Sequence, residues 1–125
     1  STPIEVWKSR DYMAVFSEES EVLDIEPDLL KLTEADAVGI IATARGTTAD
    51  FISRFFAPAA GIPEDPVTGS AHCTLIPYWA GRLGKNTMKA YQASARGGWL
   101  DCENLDKRVV VAGHAVTYFR GEVFF

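Results

Sequence analysis

One segment near the middle of the chain restricts the fold more than any other. Residues 70–83 read SAHCTLIPYWAGRL and predict a helix. Six apolar residues leave little polar surface on any side of it: Ala71, Leu75, Ile76, Tyr78, Trp79 and Leu83. A helix that is apolar nearly all round is buried rather than lying on a surface. Because Pro77 removes an interior hydrogen bond, we expect a bend, or a break into two short pieces, near Cys73.

Short β-branched and aromatic runs lie on both sides of this helix and predict strands. The predicted strands are Ile4–Trp7, Tyr12–Phe16, Ala37–Thr43, Asp50–Phe56, Thr87–Ser94, Trp99–Glu103, Lys107–Ala112 and Ala115–Phe125. A short helix is expected at 27–32, and a hairpin is expected between 107–111 and 115–118. The order of elements predicts a single α+β domain over residues 1–125, with a curved sheet around one central helix.

Charge and composition exclude several classes of protein. The net charge is −5 and no run of Lys or Arg occurs, which disfavours a nucleic-acid partner. No apolar stretch is long enough to span a membrane, and no signal-peptide pattern is present. Cys73 and Cys102 are not in a CxxC spacing, so we expect reduced thiols in a cytoplasmic protein, with no disulfide and no metal site. Since the chain begins with Ser1, it is expected to be a fragment, a processed product or a shortened chain.

The junction between a proline-rich loop at 57–69 and the helix carries the first candidate site. Gly69 and Ser70 would present free N–H groups at the positive end of the helix dipole, which suits a carboxylate or phosphate. Asp65 precedes a proline, which favours an extended backbone that projects its carboxylate. The alternative is that Asp65, Thr68 and Ser70 only form turns and cap the helix.

Two further features are candidates for substrate binding. Arg96 can bind a carboxylate through two N–H groups, and Gly97 and Gly98 allow positive φ and close backbone approach. The alternative is a tight hairpin turn with a solvated arginine. His72, near the start of the helix, can carry a proton, although a lone His is more often a packing residue.

These residues together resemble one family. The run 54–58 (RFFAP), the block 61–72 (GIPEDPVTGSAH) and the later residues 77–79 (PYW), 83–85 (LGK), Gln92, Ser94, 96–98 (RGG), 108–109 (RV) and Gly113 follow one another in the order expected. The chain resembles the C-terminal half of phenazine-biosynthesis-type (PhzF-like) isomerases along essentially its whole length.

The resemblance implies a diaminopimelate-epimerase-like half, with a curved, mostly antiparallel sheet wrapped around one buried helix. It also implies a cofactor-independent isomerase that moves a proton on a small carboxylated metabolite. Asp65 would be catalytic, while Thr68, Gly69, Ser70, His72, Arg96 and Gly97 would bind the substrate. The catalytic glutamate of the family lies in the N-terminal half, so a homodimer or a missing N-terminal half is expected to complete the cleft. The alternatives are a non-catalytic anion-binding or dimerisation domain and an inert piece of a longer enzyme.

Overall fold

Seven strands form one sheet in which every strand lies beside its neighbours in sequence, in a computed structural model that describes residues 1–125. The strands are β1 (Glu5–Lys8), β2 (Tyr12–Val15), β3 (Ile40–Arg45), β4 (Phe51–Phe56), β5 (Thr87–Gln92), β6 (Gly98–Asn104) and β7 (Val109–Ala112). The helices are α1 (Glu19–Leu23), α2 (Leu29–Leu32), a 3₁₀ helix at Pro58–Ala60, and α3 (Gly69–Leu83). The predicted α+β class is confirmed, and strands 1–7 of the eight predicted are present.

The strand directions explain why the helices lie on both faces of the sheet. β2 and β3 are parallel, as are β4 and β5, while the other neighbouring pairs are antiparallel. A parallel pair needs a crossover, and α1 with α2 provides the first while α3 provides the second. β2 and β4, which precede the two crossovers, run in opposite directions, and both crossovers lead the chain towards the same edge of the sheet. Two crossovers of the same handedness therefore lie on opposite faces of the sheet.

Alternating side chains of the central strands divide the core into two clusters. On one face, Ile41 of β3 and Phe51 and Phe55 of β4 pack with Leu75, Trp79 and other residues of α3. On the other face, Ile52 and Phe56 pack with Val22 of α1. β3 is also covered on both faces, because Ile41 belongs to the first cluster and Ala42 and Ala44 belong to the second.

The predicted break in the long helix is wrong, because α3 runs without interruption through Pro77. Pro77 is exposed, and the carbonyl that it leaves without a partner belongs to Cys73, which is exposed too. Water can therefore replace the missing hydrogen bond. The expectation of burial on all sides is also wrong: four residues spaced four apart form an exposed stripe along the helix, namely Gly69, Cys73, Pro77 and Gly81.

The predicted strand at 115–125 and its hairpin with β7 are wrong. The chain leaves the sheet after Ala112, and residues 113–125, here named the tail, have no regular structure. The side chains of Tyr118 and Phe124 are 98% and 88% exposed. The apolar pattern of the tail is that of a strand, but no neighbouring strand in this chain pairs with it. Strand propensity alone does not form a strand.

The sequence interpretation missed α1. Residues 18–23 read EESEVL and include three glutamates, Glu18, Glu19 and Glu21. The single apolar anchor of the helix is therefore not part of a repeating apolar pattern that would predict it. Val22 supplies that anchor and is completely buried. The Glu21 carboxylate accepts hydrogen bonds from the N–H groups of Ser17 and Glu18, which satisfies donors at the start of the helix.

Candidate functional site

The hydroxyl of Thr68 donates a hydrogen bond to Oδ2 of Asp65. Thr68 is the residue that precedes the first turn of α3, but its side chain makes no hydrogen bond to that turn. The capping role considered for Thr68 is therefore wrong. Asp65 is half-buried, and its Oδ1 accepts no hydrogen bond within the chain, so one oxygen of this carboxylate stays free to accept a proton or a ligand hydrogen bond.

Gln92, at the end of β5, holds the loop that carries Asp65. Its side chain is completely buried, and its Oε1 accepts from the N–H of Thr68 at 2.7 Å. Its Nε2 donates to the carbonyl of Asp65 at 2.8 Å and to Oγ1 of Thr68 at 3.1 Å. Asp65 N–H in turn donates to the carbonyl of Phe55 in β4. The loop at 65–68 is thus fixed to two strands of the sheet.

The N-terminus of α3 is open to solvent. Gly69 and Ser70 are both exposed, and neither backbone N–H donates a hydrogen bond within the chain. No atom lies within 4 Å of the position that a Cβ on Gly69 would take, so a ligand can approach the backbone there. The first turn of a fifteen-residue helix is a favourable place for a negative charge.

Arg10 adds a cation beside this helix end, and sequence reasoning missed it. Its Nη2 donates to Oγ of Ser70 at 3.3 Å, and its Nε lies 3.5 Å from Oδ2 of the buried Asp11. The Arg10 side chain is 58% exposed, so it is reachable by a ligand at the helix end. The turn between β1 and β2 brings it there, and no signal within residues 8–11 indicates that contact.

A cavity of about 740 Å³ joins Gly69 to the loop between β5 and β6. Arg96 and Gly97 line this cavity with Gly69, although the two segments are far apart in sequence. Arg96 is exposed and forms no ion pair, so its guanidinium is free for an anion. Trp99 and His114 also line the cavity.

Gly97 and Gly98 have separate structural reasons to be glycine. Gly97 has φ +69°, and a Cβ there would overlap the hydroxyl of Tyr91. A Cβ on Gly98 would overlap the side chain of Val67, which precedes α3. Positive φ is confirmed at Gly97, and the turn joins the antiparallel pair β5 and β6. The close packing of Gly98 on Val67 brings the turn against the start of α3.

His72 lies in the core, below the candidate site. It is completely buried, and its Nδ1 donates to the carbonyl of Thr68 at 2.7 Å. A carbonyl only accepts, so Nδ1 carries the proton and Nε2 is an acceptor without a partner. Burial lowers the pKa of His72 more than the bond to Thr68 raises it. Contact between His72 and a substrate stays a prediction, and in this conformation none of its side chain reaches the cavity.

The two adjacent acidic residues of the loop have different surroundings. Glu64 pairs with Arg54 of β4, and both side chains are mostly buried. Asp65 has no cation partner. The candidate residues therefore form three groups: Asp65 with Thr68, the exposed helix end with Gly69 and Ser70, and the cavity with Arg96 and Gly97. Asp65 does not itself line that cavity.

The structure contains no group of three or more His, Cys, Asp or Glu side chains placed to hold a metal ion. Both cysteines are free thiols. None of the helices combines the length and the apolar character that crossing a membrane requires. The candidate site therefore consists of a carboxylate, a helix N-terminus and arginine side chains.

Comparison with known proteins then decides the family. A family model described as phenazine biosynthesis-like protein matches residues 2–121. The chain belongs to the phenazine biosynthesis-like family. The family predicted from residues 54–113 is thereby confirmed. One curated relative, an uncharacterized isomerase of Pseudomonas aeruginosa, is 52% identical over 122 residues, which are 97% of this chain and 47% of that protein.

Solved structures agree with this assignment. A phenazine biosynthesis PhzC/PhzF protein from Clostridium difficile is 43% identical, with a TM-score of 0.90 over 100% of this chain and 49% of the other. A PhzF family protein from Enterococcus faecalis is 45% identical, with a TM-score of 0.91 over 99% of this chain and 48% of the other. The PhzF-like fold is therefore shown. The chain spans about half the length of the relatives that it matches.

Proposed function

We propose that this phenazine biosynthesis-like chain forms one wall of the active site of an isomerase that moves a proton on a small carboxylated metabolite. The observation that supports this most directly is the Asp65 carboxylate, held by Thr68 at the open N-terminus of α3. Several curated relatives carry the name isomerase, which supports the reaction class.

The proposed chemistry uses the residues of this chain for binding and positioning. A base removes a proton from a carbon that lies next to the substrate carboxylate and beside a carbon–carbon double bond of the substrate. The electron pair delocalises over the carboxylate and this double bond, and a proton returns at the far carbon of the double bond, which thereby moves by one position. The Gly69 and Ser70 N–H groups would stabilise the growing negative charge, with Arg96 and Arg10 as added cations. Asp65, with its free Oδ1, would position the substrate or relay the proton. No cofactor is needed for these steps.

A second wall is part of the proposal. The chain spans about half the length of its relatives, and the tail exposes a row of apolar side chains. A second copy of this chain or the remaining half of a longer protein would supply the other wall and the base, as expected for a diaminopimelate-epimerase-like arrangement with the sheet curved around α3. The cytoplasm is the proposed location.

A non-catalytic anion-binding domain is the second candidate function. The free guanidinium of Arg96 and the free N–H groups of Gly69 and Ser70 support it, because all of them bind anions without any proton transfer. Under this proposal Asp65 would accept hydrogen bonds from a ligand but would exchange no proton with it.

The deciding experiment measures proton exchange into small carboxylates in heavy water by NMR, with binding followed in the same samples. We expect exchange when the wild-type chain is assembled with its second wall, loss of at least about 100-fold in Asp65→Asn, and no change in Glu34→Gln, an exposed carboxylate away from the site. Binding without exchange would favour the second candidate. Neither binding nor exchange would contradict both.

A further inference from the structure

We infer that Gln92 is a positioning residue that fixes the direction of the Thr68 hydroxyl proton and, through it, the Asp65 carboxylate. The inference rests on the proposed function only where it takes Asp65 as the group that positions the substrate or relays the proton. Gln92 was part of the family resemblance but received no role there. Its side chain is completely buried, and all of its hydrogen bonds go to the loop at 65–68.

The orientation of the Gln92 amide is determined by its partners. Its oxygen faces a donor, the N–H of Thr68. Its nitrogen faces two oxygens, the carbonyl of Asp65 and Oγ1 of Thr68. A flipped amide would place its oxygen against the Asp65 carbonyl and its NH₂ against an N–H, so one orientation satisfies the whole group.

This orientation determines where the hydroxyl proton of Thr68 points. A hydroxyl has one proton and two lone pairs, and one lone pair already accepts from Nε2 of Gln92. The proton is left to donate to Oδ2 of Asp65. Gln92 therefore acts on the carboxylate without touching it. Replacing this buried donor with an acceptor would reverse the direction of the Thr68 hydroxyl and remove the only side-chain hydrogen bond that Asp65 accepts.

A nearby serine provides a matched control. Ser94 follows β5 and donates to the carbonyl of Pro66 at 2.8 Å, while accepting from the N–H of Gly97 at 3.0 Å. It binds the same loop, but its side chain forms no hydrogen bond to Asp65 or Thr68. A merely structural role for Gln92 would make its replacement resemble that of Ser94.

The substitution Gln92→Glu separates positioning from packing. It preserves size and the acceptor for Thr68 N–H, but the ionised carboxyl only accepts, so it draws the Thr68 hydroxyl proton away from Asp65. When protonated, the same carboxyl donates again. The loss must therefore grow with pH as this group ionises and be partly reversed at low pH. Gln92→Met removes the hydrogen bonds without adding a titrating group.

The test uses NMR of the full chain from pH 5 to 8, following the Thr68 hydroxyl proton and the ¹³C shift of the Asp65 carboxyl. We expect Gln92→Glu to change both signals in a pH-dependent way, Gln92→Met to change both relative to the wild type at every pH, and Ser94→Ala to leave both near wild type. Circular dichroism confirms that each variant is folded. A folded Gln92→Glu whose two signals follow the wild-type chain at every pH would overturn the inference.

Kinetics provide a second readout in the heavy-water assay. Loss of positioning should lower kcat by about 100-fold with KM changed less than about threefold, because a small misplacement of a reacting group affects the transition state more than binding. An equal effect of Ser94→Ala would contradict the inference. Absence of exchange in the wild-type chain would count against the proposed function alone, since the NMR signals still decide the role of Gln92.

Discussion

Arg54 binds both oxygens of the Glu64 carboxylate through two different nitrogens, with Nε 2.7 Å from Oε1 and Nη2 3.0 Å from Oε2. Its remaining nitrogen, Nη1, donates to the carbonyls of Val22, Leu23 and Ile25, where α1 ends. One guanidinium thus joins β4, the loop before Asp65 and the end of α1. Bidentate pairing occupies both oxygens of Glu64, whereas Oδ1 of the adjacent Asp65 accepts no hydrogen bond within the chain.

Arg54→Met should lower the free energy of unfolding by about 2–4 kcal/mol, because it leaves a mostly buried carboxylate and three carbonyls without a donor. Urea unfolding measures the change. The double variant Arg54→Met with Glu64→Gln should recover part of the loss. Lys8→Met, at an exposed ion pair with Asp36, is the control and should show no measurable change. Equal changes in the free energy of unfolding for Arg54→Met and Lys8→Met would contradict the structural role of Arg54.

His72 should make the protein less stable in mild acid. Burial lowers the pKa of His72 below its ordinary value of 6.5. Below about pH 6.5 the unfolded chain therefore takes up a proton that the folded chain does not, and stability falls by up to about 1.4 kcal/mol per pH unit. Urea unfolding between pH 7.5 and 5.5 measures the slope. His72→Gln should flatten it, whereas His114→Gln, at an exposed position, should not; a slope retained in His72→Gln would show another group to be responsible.

The two thiols should differ strongly in reactivity. Burial, with smaller contributions from the nearby carboxylates of Asp101 and Asp50, raises the pKa of the Cys102 thiol to about 11. Cys73 is exposed on α3. Iodoacetamide at pH 8 should therefore modify Cys73 in the native chain and leave Cys102 unmodified, as read by peptide mass spectrometry. In urea both should react. Native labelling of Cys102 at the rate of Cys73 would contradict the burial of β6.

Arg96 should contribute to anion affinity. Replacing it with Gln removes a charged donor at the cavity, and we expect the dissociation constant of a small carboxylate to rise about 10-fold to 100-fold. Isothermal titration with citrate or malonate measures this. Lys107→Gln is the matched control, since Lys107 is an exposed cation outside this cavity. If both variants bind alike, the affinity comes from general charge rather than from the cavity.

The tail should promote association of the isolated chain. Val116, Tyr118, Phe119, Val123, Phe124 and Phe125 are each at least 78% exposed. An apolar surface of this kind favours contact with a second surface. Phe119→Ser with Phe124→Ser should lower hydrophobic-dye fluorescence and shift the light-scattering mass towards the monomer. A wild-type chain that stays monomeric at all micromolar concentrations would show that the tail does not bind a second copy.

The sequence predicted the strands well wherever both faces of the strand meet a core. The bounds of the strand predicted at 50–56 differ by one residue from those of β4, which has apolar residues on both faces: Phe51 and Phe55 on one, and Ile52 and Phe56 on the other. The tail shows the opposite case. Its alternating aromatic residues predict a strand, but strand formation depends on a pairing partner that residues 113–125 do not have in this chain.

The sequence predicted individual residues of the candidate site but not the hydrogen bonds and packing contacts that join them. The expected free N–H groups of Gly69 and Ser70 indicated an anion site, and the glycine pair indicated a turn with positive φ. The direction of the Thr68 hydroxyl, the burial of His72 and the approach of Arg10 to Ser70 depend on tertiary packing. No local pattern contains that information, because each contact joins segments set by sheet register.

The order of strands in the sheet has a consequence for how the protein forms. Each strand from β2 to β7 pairs with the strand that precedes it in the sequence and is therefore synthesised just before it. Pairing between sequence neighbours keeps loop-closure costs small and favours rapid folding. The sheet can therefore be assembled in the order of synthesis, with α3 packed before β5 is complete. The apolar tail follows β7 in the chain and therefore emerges after all seven strands of the sheet.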